Sequence, residues 1–386
     1  MNILAISGIR SEYDILFPVL DELRNFDHSL KIVVSGTHLS NQHNNTWKRI
    51  EEDGFEIAEK IDCLLSTDRS VQRSKSVGIL VQGLTLTVDR LDPDFLLVDG
   101  DREECISAAI VGNYMDKLVV HMGGGDPAYG NADDPMRFAV SKLAHIHCCT
   151  AHEYAKNLVN FGEEEFRVFC TGNPSYVNID KVPLLQVDKL FSRIGIDIEI
   201  NKYIVLINHP LSSEVEQSYL QMKMVLEGIE AFCLKRGYFT ICIPPNSDPG
   251  SFDMLKAIED FKRKEWFHFV ETLPRDEFVN LMRNASALVG NSSMGILETP
   301  HYKLPAVNVG NRQKGRLNAG NVQFVDYNLA SIVSGLEQAC LDKKYRDQII
   351  KLKNPFGDGT AARKVREAIE SVNLNDRKWY IKEKLC

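Results

Sequence analysis

Residues 2–14 read NILAISGIRSEYD and contain the transition that decides the fold. Asn2–Ser7 is a short apolar run typical of a buried strand, Gly8–Glu12 is a predicted loop, and the apolar residues of Ile15–Arg24 recur at helical spacing. A strand followed by a glycine-containing turn and a helix is typical of an open α/β sheet, in which ligands bind at the carboxyl ends of the strands. The loop lacks the GxGxxG pattern, which disfavours NAD or FAD as its ligand.

The same alternation of apolar runs and helical segments continues along the chain, in two series. Further predicted strands of the first series are Lys31–Ser35, Phe95–Asp99, Leu118–His121, His145–Thr150 and Arg167–Thr171, and those of the second include Tyr203–Asn208, Thr240–Ile243, Ala287–Val289 and Ala306–Val309. Strands that are apolar almost throughout, with helices between them, indicate a parallel sheet covered on both faces. The predicted fold class is therefore α/β, with two Rossmann-like domains.

The length of the chain supports this division, because 386 residues suit two domains of about 150–200 residues each. We expect residues 1–175 to form the N-terminal Rossmann-like domain and residues 202–365 the C-terminal, nucleotide-binding one. Residues 176–201 are the least regular stretch and are interpreted as a linker. Residues 366–386 are expected to form a C-terminal helix that packs back on the N-terminal domain.

Composition excludes several classes of function. The net charge of -8 argues against a nucleic-acid partner, which requires a basic face. The sequence contains neither an N-terminal secretory pattern nor an apolar run of roughly 20 residues, so we expect no membrane partner. Nine cysteines without zinc-like pairs suit reduced thiols. We therefore expect a cytoplasmic protein with no metal site.

Two loops have the residue types that bind phosphate. Arg10 follows the first strand, and its guanidinium is always charged and can bond an anion through two nitrogens. In the second half, Gly290-Asn291-Ser292-Ser293 lies between a predicted strand and a predicted helix, where Ser292, Ser293 and backbone N–H groups can face an anion. Glu298 lies about one turn into that helix and is a candidate for binding ribose hydroxyls. A surface arginine and an ordinary helix cap are the alternative interpretations.

Candidate acid–base groups also follow predicted strands. Asp101 and Asp126 each come after a strand, and Asp133 (or its neighbour Asp134) opens the helix that follows Asp126. Clustered carboxylates raise one another's pKa values, which makes a carboxyl group useful for acid–base catalysis near neutral pH. His209 follows the strand at Tyr203–Asn208 and is a further catalytic candidate. For each aspartate the alternative is a carboxylate that only caps a turn or a helix.

Together these motifs resemble the hydrolysing UDP-N-acetylglucosamine 2-epimerase family of sialic and legionaminic acid synthesis. The resemblance covers most of the chain, and the order and spacing of the motifs are specific to that family. The matching segments are Gly8–Asp14, Gly36–Ser40, Asp99–Arg102 (the GDR signature), His121–Lys142, Gly172–Tyr176, Asn208–Pro210, Gly290–Ser293 and Gly310–Arg316.

The resemblance implies a GT-B-like fold with a central cleft that binds a UDP-sugar, and a two-step reaction without a cofactor. In the first step the nucleoside diphosphate leaves C1 as the C2 proton is removed, which gives a 2-acetamidoglucal; water then adds and releases a free N-acetylmannosamine-type sugar. Arg10, Ser292, Ser293 and Arg312 would bind the diphosphate, and Glu298 the ribose. Asp101, Asp126 and Asp133 would act near C1 and C2, with His209 beside the leaving oxygen. We also expect a homo-oligomer, either a dimer or a tetramer.

The sequence departs from the family's pattern at three positions. Gly123 supplies no side chain where the family's HIEGGE or HIHGGE segment has Glu or His, Asp126 is one methylene shorter than Glu, and Phe138 replaces a histidine. A substrate other than UDP-N-acetylglucosamine is therefore also considered, including UDP-2,4-diacetamido-2,4,6-trideoxyglucose. Three alternative functions remain at this stage: a non-hydrolysing epimerase, a GT-B glycosyltransferase and a non-catalytic nucleotide-sugar sensor.

Overall fold

The computed structural model describes residues 1–65, 71–127, 133–196, 202–211, 213–246, 248–270 and 273–383, except the side chains of His43 and Asp133. The chain forms two compact units. The first contains Met1–Pro127, Ala132–Asn178 and Phe356–Cys386, and the second is built on Ile179–Pro355. Each unit has its own parallel sheet, so the predicted α/β class with two Rossmann-like domains is confirmed.

Strands and helices alternate through the first unit. The elements in order are β1 (Asn2–Ser7), α1 (Arg10–Arg24), β2 (Ser29–Ser35), α2 (Trp47–Glu52), β3 (Ile57–Ile61), α3 (Val71–Leu91), β4 (Phe95–Asp99), α4 (Glu103–Tyr114), β5 (Leu118–Met122), α5 (Asp133–Leu143), β6 (Ile146–Cys149), α6 (His152–Asn160), β7 (Val168–Cys170) and α7 (Ser175–Lys181). Most of these strands were predicted from the sequence, but β3 and the helices α2 and α6 were not.

The first sheet has the strand order of a doubly wound Rossmann fold. Among the described residues its order is β3-β2-β1-β4-β5-β6-β7, and every pair of neighbours is parallel. The order reverses between β1 and β4, which is the switch point where open α/β sheets bind ligands. The strands form this sheet because both of their faces are buried: all five residues of β4 and of β5 are buried.

The last part of the chain packs on the first unit. Helix α16 (Ala361–Glu370) packs against α1, with Val365 and Ile369 buried in the same apolar cluster as Leu16 and Leu20. Beyond this helix, the buried guanidinium of Arg167 donates hydrogen bonds to the backbone carbonyls of residues 379 and 381, each at 2.8 Å. The helix begins and ends earlier than residues 366–386, the range expected from the sequence.

The second unit repeats the architecture. Its elements are α8 (Val187–Arg193), β8 (Tyr203–Ile207), α9 (Ser218–Arg236), β9 (Phe239–Ile243), α10 (Ser251–Glu259), β10 (Phe267–Phe269), α11 (Arg275–Asn284), β11 (Leu288–Gly290), α12 (Met294–Leu297), α13 (Thr299–Tyr302), β12 (Ala306–Val309), β13 (Val322–Val325), α14 (Leu329–Leu341) and α15 (Lys343–Lys351). In the described residues the strand order is β10-β9-β8-β11-β12-β13, all parallel, so the switch point lies between β8 and β11.

Two predicted segments differ in the structure. Residues 176–201, interpreted as a linker, contain most of α7 and all of α8, and Phe191 of α8 is buried against Tyr203 of β8. The helix predicted after Ser293 is split into the short helices α12 and α13, which meet at Glu298. Within the described ranges, no helix is both long and apolar enough to cross a membrane.

Candidate functional site

The loop after β1 lies at the switch point of the first unit and is shorter than predicted. Helix α1 begins at Arg10 and not at Ile15, so Arg10 occupies the first helical position. Its guanidinium lies 3.7 Å from the carboxylate of Asp14 and is 39% exposed, so the side chain can reach an anion near the helix N-terminus. The buried carboxylate of Glu12 accepts a hydrogen bond of 3.0 Å from the Gly8 N–H, which fixes the turn from inside the helix.

A second buried carboxyl group, Glu104 of α4, packs directly against the same loop at Gly8. A Cβ atom built on Gly8 would lie 1.5 Å from Glu104 Oε1, and one built on Gly36 would lie 2.9 Å from the same oxygen. Both positions therefore require glycine. Burial raises the pKa values of Glu12 and Glu104, and a neighbouring carboxylate raises each of them further: Glu104 raises the pKa of Glu12, and Glu103 raises that of Glu104. We identify Glu12 and Glu104 only from the structure.

Asp101 and Asp126, predicted to converge, are brought together by Arg137 of α5. The Arg137 Nε donates to Asp101 Oδ2 at 3.0 Å, and Nη2 donates to the same oxygen. Nη1 donates to the Asp126 backbone carbonyl at 2.8 Å and lies 3.3 Å from Asp126 Oδ2. Burial lowers the pKa of Arg137, but Asp101 and Asp126 more than offset this, and its pKa is raised overall. One guanidinium thus fixes the positions of both aspartates.

The third predicted aspartate is only partly described. Asp133 is the first residue of α5, and its side chain lies outside the described part of the structure. The helix it opens also carries Arg137 and Ser141. Ser141 bonds the Nδ1 of the buried His121 at 3.1 Å, while His121 Nε2 lies 2.7 Å from the Gly100 carbonyl oxygen. These contacts hold the loop after β4 against β5 and α5.

In the second unit, His209 follows β8 and is held at the switch point by Asn291, which follows β11. The side-chain oxygen of Asn291 accepts a 2.7 Å bond from His209 N–H, and its amide nitrogen donates to the His209 carbonyl, also at 2.7 Å. The backbone N–H of Asn246 donates to Nδ1 of His209 at 3.0 Å, which places the proton of the neutral ring on Nε2. Burial, with a contribution from Arg312, lowers the pKa of His209 to about 3.

The predicted diphosphate ligands lie around the same asparagine. Nη1 of Arg312 donates to the Asn291 carbonyl at 3.2 Å, and Gln313 donates to the same oxygen at 3.1 Å. Gly290 permits this turn: its φ is +124°, and a Cβ there would lie 2.1 Å from the Ile207 carbonyl oxygen. Ser292 and Ser293 are half-buried and follow Asn291 directly. Glu298, also half-buried, ends α12.

The structure thus assembles a group of predicted residues in each unit. Asp101 and Asp126 meet in the first, and His209 and Arg312 meet in the second. The sequence did not predict that Arg137 bonds two aspartates or that Asn291 holds His209 in place. Within the residues described, no group of three or more His, Cys, Asp or Glu side chains is arranged to hold a metal ion.

Two parallel Rossmann-like sheets, each with polar side chains at its switch point, are typical of α/β proteins that bind nucleotides. Residues 21–370 match the family described as UDP-N-acetylglucosamine 2-epimerase, so the chain belongs to that family, and the resemblance inferred from its motifs is confirmed. Its reaction class is the 2-epimerisation of a UDP-linked sugar.

Relatives in this family extend over nearly the whole chain. The UDP-N,N'-diacetylbacillosamine 2-epimerase (hydrolyzing) of Legionella pneumophila is 31% identical over 377 residues, 97% of each chain. The GDP/UDP-N,N'-diacetylbacillosamine 2-epimerase (hydrolyzing) of Campylobacter jejuni is also 31% identical and covers 88% of this chain and 86% of its own. The crystal structure of UDP-GlcNAc 2-epimerase from Neisseria meningitidis bound to UDP-GlcNAc has the same fold, with a TM-score of 0.83 at 19% identity, over 96% of this chain and 100% of that one.

Proposed function

We propose that this protein is a hydrolysing 2-epimerase whose substrate is UDP-N,N'-diacetylbacillosamine, the UDP-2,4-diacetamido-2,4,6-trideoxyglucose considered from the sequence. The observation that carries the proposal is the 31% identity, along 97% of the chain, to a relative that bears this name. The products would be UDP and a free 2,4-diacetamido sugar of the manno configuration. UDP-N-acetylglucosamine is the second candidate substrate, because the matched family is named for it. Free sugars of either kind are precursors for sialic and legionaminic acid synthesis, the pathway that the motif resemblance implies.

The proposed reaction has two steps, and no cofactor takes part in either. In the elimination, the C2–H electrons form a C1=C2 double bond, the C1–O electrons leave with the diphosphate of UDP, and a base takes the C2 proton. In the hydration, a proton is added to C2 from the opposite face and water supplies the hydroxyl group on C1. Acid–base catalysis of such steps contributes about 10²–10⁴-fold each.

In the first unit we assign the acid–base chemistry to Asp101 and Asp126. Arg137 holds the two carboxylates with 2.8–3.3 Å contacts that include the Asp126 backbone, so both are oriented before a substrate arrives. Such pre-orientation matters for the rate, because a displacement of a catalytic group by about 1 Å can lower the rate roughly 10²-fold. Asp133 remains a candidate from the sequence, at the start of the helix that carries Arg137.

In the second unit we assign the binding of the diphosphate to four residues: Arg312, His209, Ser292 and Ser293. His209 is neutral near pH 7, since its pKa is about 3, and its Nε2–H can donate to a leaving oxygen without changing its charge. Arg312, bonded to the Asn291 carbonyl, supplies the positive charge. We further assign Glu298 to the ribose, and Arg10 of the first unit to the phosphate.

The test is a product assay without an acceptor. Purified protein is incubated separately with UDP-N,N'-diacetylbacillosamine and UDP-N-acetylglucosamine, and the sugar products are identified by proton NMR. Free manno sugar and UDP, formed with a kcat/KM at least tenfold higher for the first substrate, would support the proposal. An intact epimerised nucleotide-sugar would instead show the non-hydrolysing reaction. Binding of both substrates without turnover would favour a sensor or a transferase that lacks its acceptor.

A further inference from the structure

Asp99 is the last residue of β4 and lies at the switch point of the first sheet, two residues before Asp101. Its neighbours in β4 are apolar and fully buried, and only 9% of Asp99 is exposed. A carboxyl group is costly to bury at such a position unless it is paired or has a function. Its contacts therefore require an explanation.

The side chain faces a space kept open by glycine. A Cβ built on Gly123, after β5, would lie 3.5 Å from Asp99 Oδ1, and the next nearest atoms belong to the backbone of Gly100. A Cβ built on Gly100 would have no atom within 4 Å apart from those of its two chain neighbours. The φ angles of Gly100 and Gly123 are +92° and +73°, which disfavour any other residue. No side chain from either position fills the space beside the Asp99 carboxyl group.

Asp99 also differs from the other two aspartates in its bonding. Asp101 and Asp126 are bound by Arg137, whereas no residue in the described ranges donates a hydrogen bond to the Asp99 carboxylate. A carboxyl group without such a bond can take up and release a proton without breaking an ion pair. Burial raises the pKa of Asp99 to about 7, with Arg137 opposing and Asp101 adding to the shift.

Other ionisable groups act on this part of the first unit. Glu12 of α1 and Cys105 of α4 are within electrostatic reach of Asp99, and the Cys105 thiol donates to the Asp99 backbone carbonyl at 3.0 Å. His121 of β5 bonds the Gly100 carbonyl through Nε2, and burial lowers its pKa to about 3, so it carries no charge near neutral pH. Of these groups, Asp99 is the one whose side chain lies within 4 Å of a Cβ built on Gly123.

We propose that Asp99 is a further acid–base residue of the epimerase, which accepts the C2 proton of the sugar in the elimination step; this rests on the function proposed above. The C2–H bond breaks, its electrons form the C1=C2 bond, the C1–O electrons leave with UDP, and the proton resides on an Asp99 oxygen. In the hydration step, a group other than Asp99 then donates a proton to C2 from the opposite face of the sugar ring, and water supplies the hydroxyl group on C1. Asp99 returns its proton to solvent, which completes the cycle.

The test separates the two steps. Asp99→Asn keeps the shape of the side chain but cannot accept the proton, so overall turnover should fall by about 10²–10⁴-fold. When the variant is given the synthetic 2-acetamidoglucal and UDP, hydration to the free sugar should stay within about threefold of the wild-type rate. UDP affinity, measured by calorimetry, should be unchanged. Damage to the fold would instead lower all three quantities.

Asp94→Asn is the matched control, because Asp94 directly precedes the same strand at its opposite end. The Asp94 carboxylate accepts a 2.7 Å hydrogen bond from the Asn2 N–H, and an amide oxygen can also accept this bond. It should keep full turnover. Asp99→Glu, which retains a carboxyl group but displaces it, should also lose the elimination and keep hydration. Turnover of Asp99→Asn within a few-fold of wild type, or equal loss of elimination and hydration, would overturn the assignment. If the wild-type protein releases no free sugar, the proposed function itself is wrong.

Discussion

The Asp99→Asn variant should become more stable relative to wild type as the pH rises, although its turnover is expected to fall. The pKa of Asp99 is raised from an ordinary value of 3.8 to about 7. A shift of about three pKa units corresponds to roughly 4 kcal/mol between the two protonation states. Some water reaches this carboxyl group, which is 9% exposed, so we expect about 2 kcal/mol in practice.

The sign follows from proton linkage. Between pH 4 and 7 the unfolded chain has lost the Asp99 proton and the folded chain has kept it, so the free energy of unfolding falls as the pH rises. The stability that comes from the raised pKa of Asp99 is fully present below about pH 4 and is lost as the pH passes 7. Asparagine does not titrate, so the difference in stability between variant and wild type should increase from pH 4 to 7 and remain constant above pH 7.

Thermal unfolding from pH 5 to 8.5 measures this difference. For a unit of about 200 residues, 2 kcal/mol corresponds to roughly 4–8 °C in the melting temperature, which is well above experimental error. Asp94→Asn serves again as the control and should show a difference that does not vary with pH. A constant difference for Asp99→Asn across the range would refute the argument that burial keeps this carboxyl group protonated.

Three further predictions concern the other residues of the site. Asp101→Asn should lower kcat by about 10²–10⁴-fold and leave UDP affinity nearly unchanged, and steady-state rates within a few-fold of wild type would exclude Asp101 from catalysis. Arg312→Ala should weaken UDP binding by roughly 1–3 kcal/mol in calorimetry, because it removes a charged donor; equal affinity would show that the diphosphate binds elsewhere. Gly8→Ala would place a Cβ 1.5 Å from Glu104 Oε1 and should lower the melting temperature, and Glu104→Ala in the same chain should restore part of the loss.

The sequence predicted those features that depend on local pattern. Apolar runs such as FLLVD at Phe95–Asp99 identified the strands, and a glycine after a strand marked each switch-point loop, as at Gly8 and Gly290. Both signals are local, because a buried parallel strand is apolar along its whole length and the loop after it often requires glycine, either for a positive φ as at Gly290 or for a close approach of other groups as at Gly8. The short strand β3 was missed, since IAEKI lacks such a continuous apolar run.

The contacts that orient the candidate catalytic groups could not be predicted in this way. Arg137 follows Asp101 by 36 positions, and the bond between them depends on how α5 packs beside β5. Glu104 looked like an ordinary acidic residue in the first turn of a helix, yet it is buried beneath Gly8 and Gly36. Side-chain direction at this level is set by tertiary packing, which a single sequence does not record.

Charge provides a physical reason for the proposed assignment of the sugar to the first unit and of the diphosphate to the second. Near the first switch point, Asp99, Asp101 and Asp126 all act on one buried guanidinium, so this carboxylate cluster, unlike Arg10 at the start of α1, would disfavour a diphosphate and suit the uncharged sugar ring of the proposed reaction. In the second unit the corresponding position holds Arg312 and a neutral His209, which are both donors to anionic oxygen. A neutral histidine is an advantage there, since a cation would bind the departing UDP more tightly and slow its release. Under the proposed function, the low pKa of His209 would therefore favour turnover over nucleotide affinity.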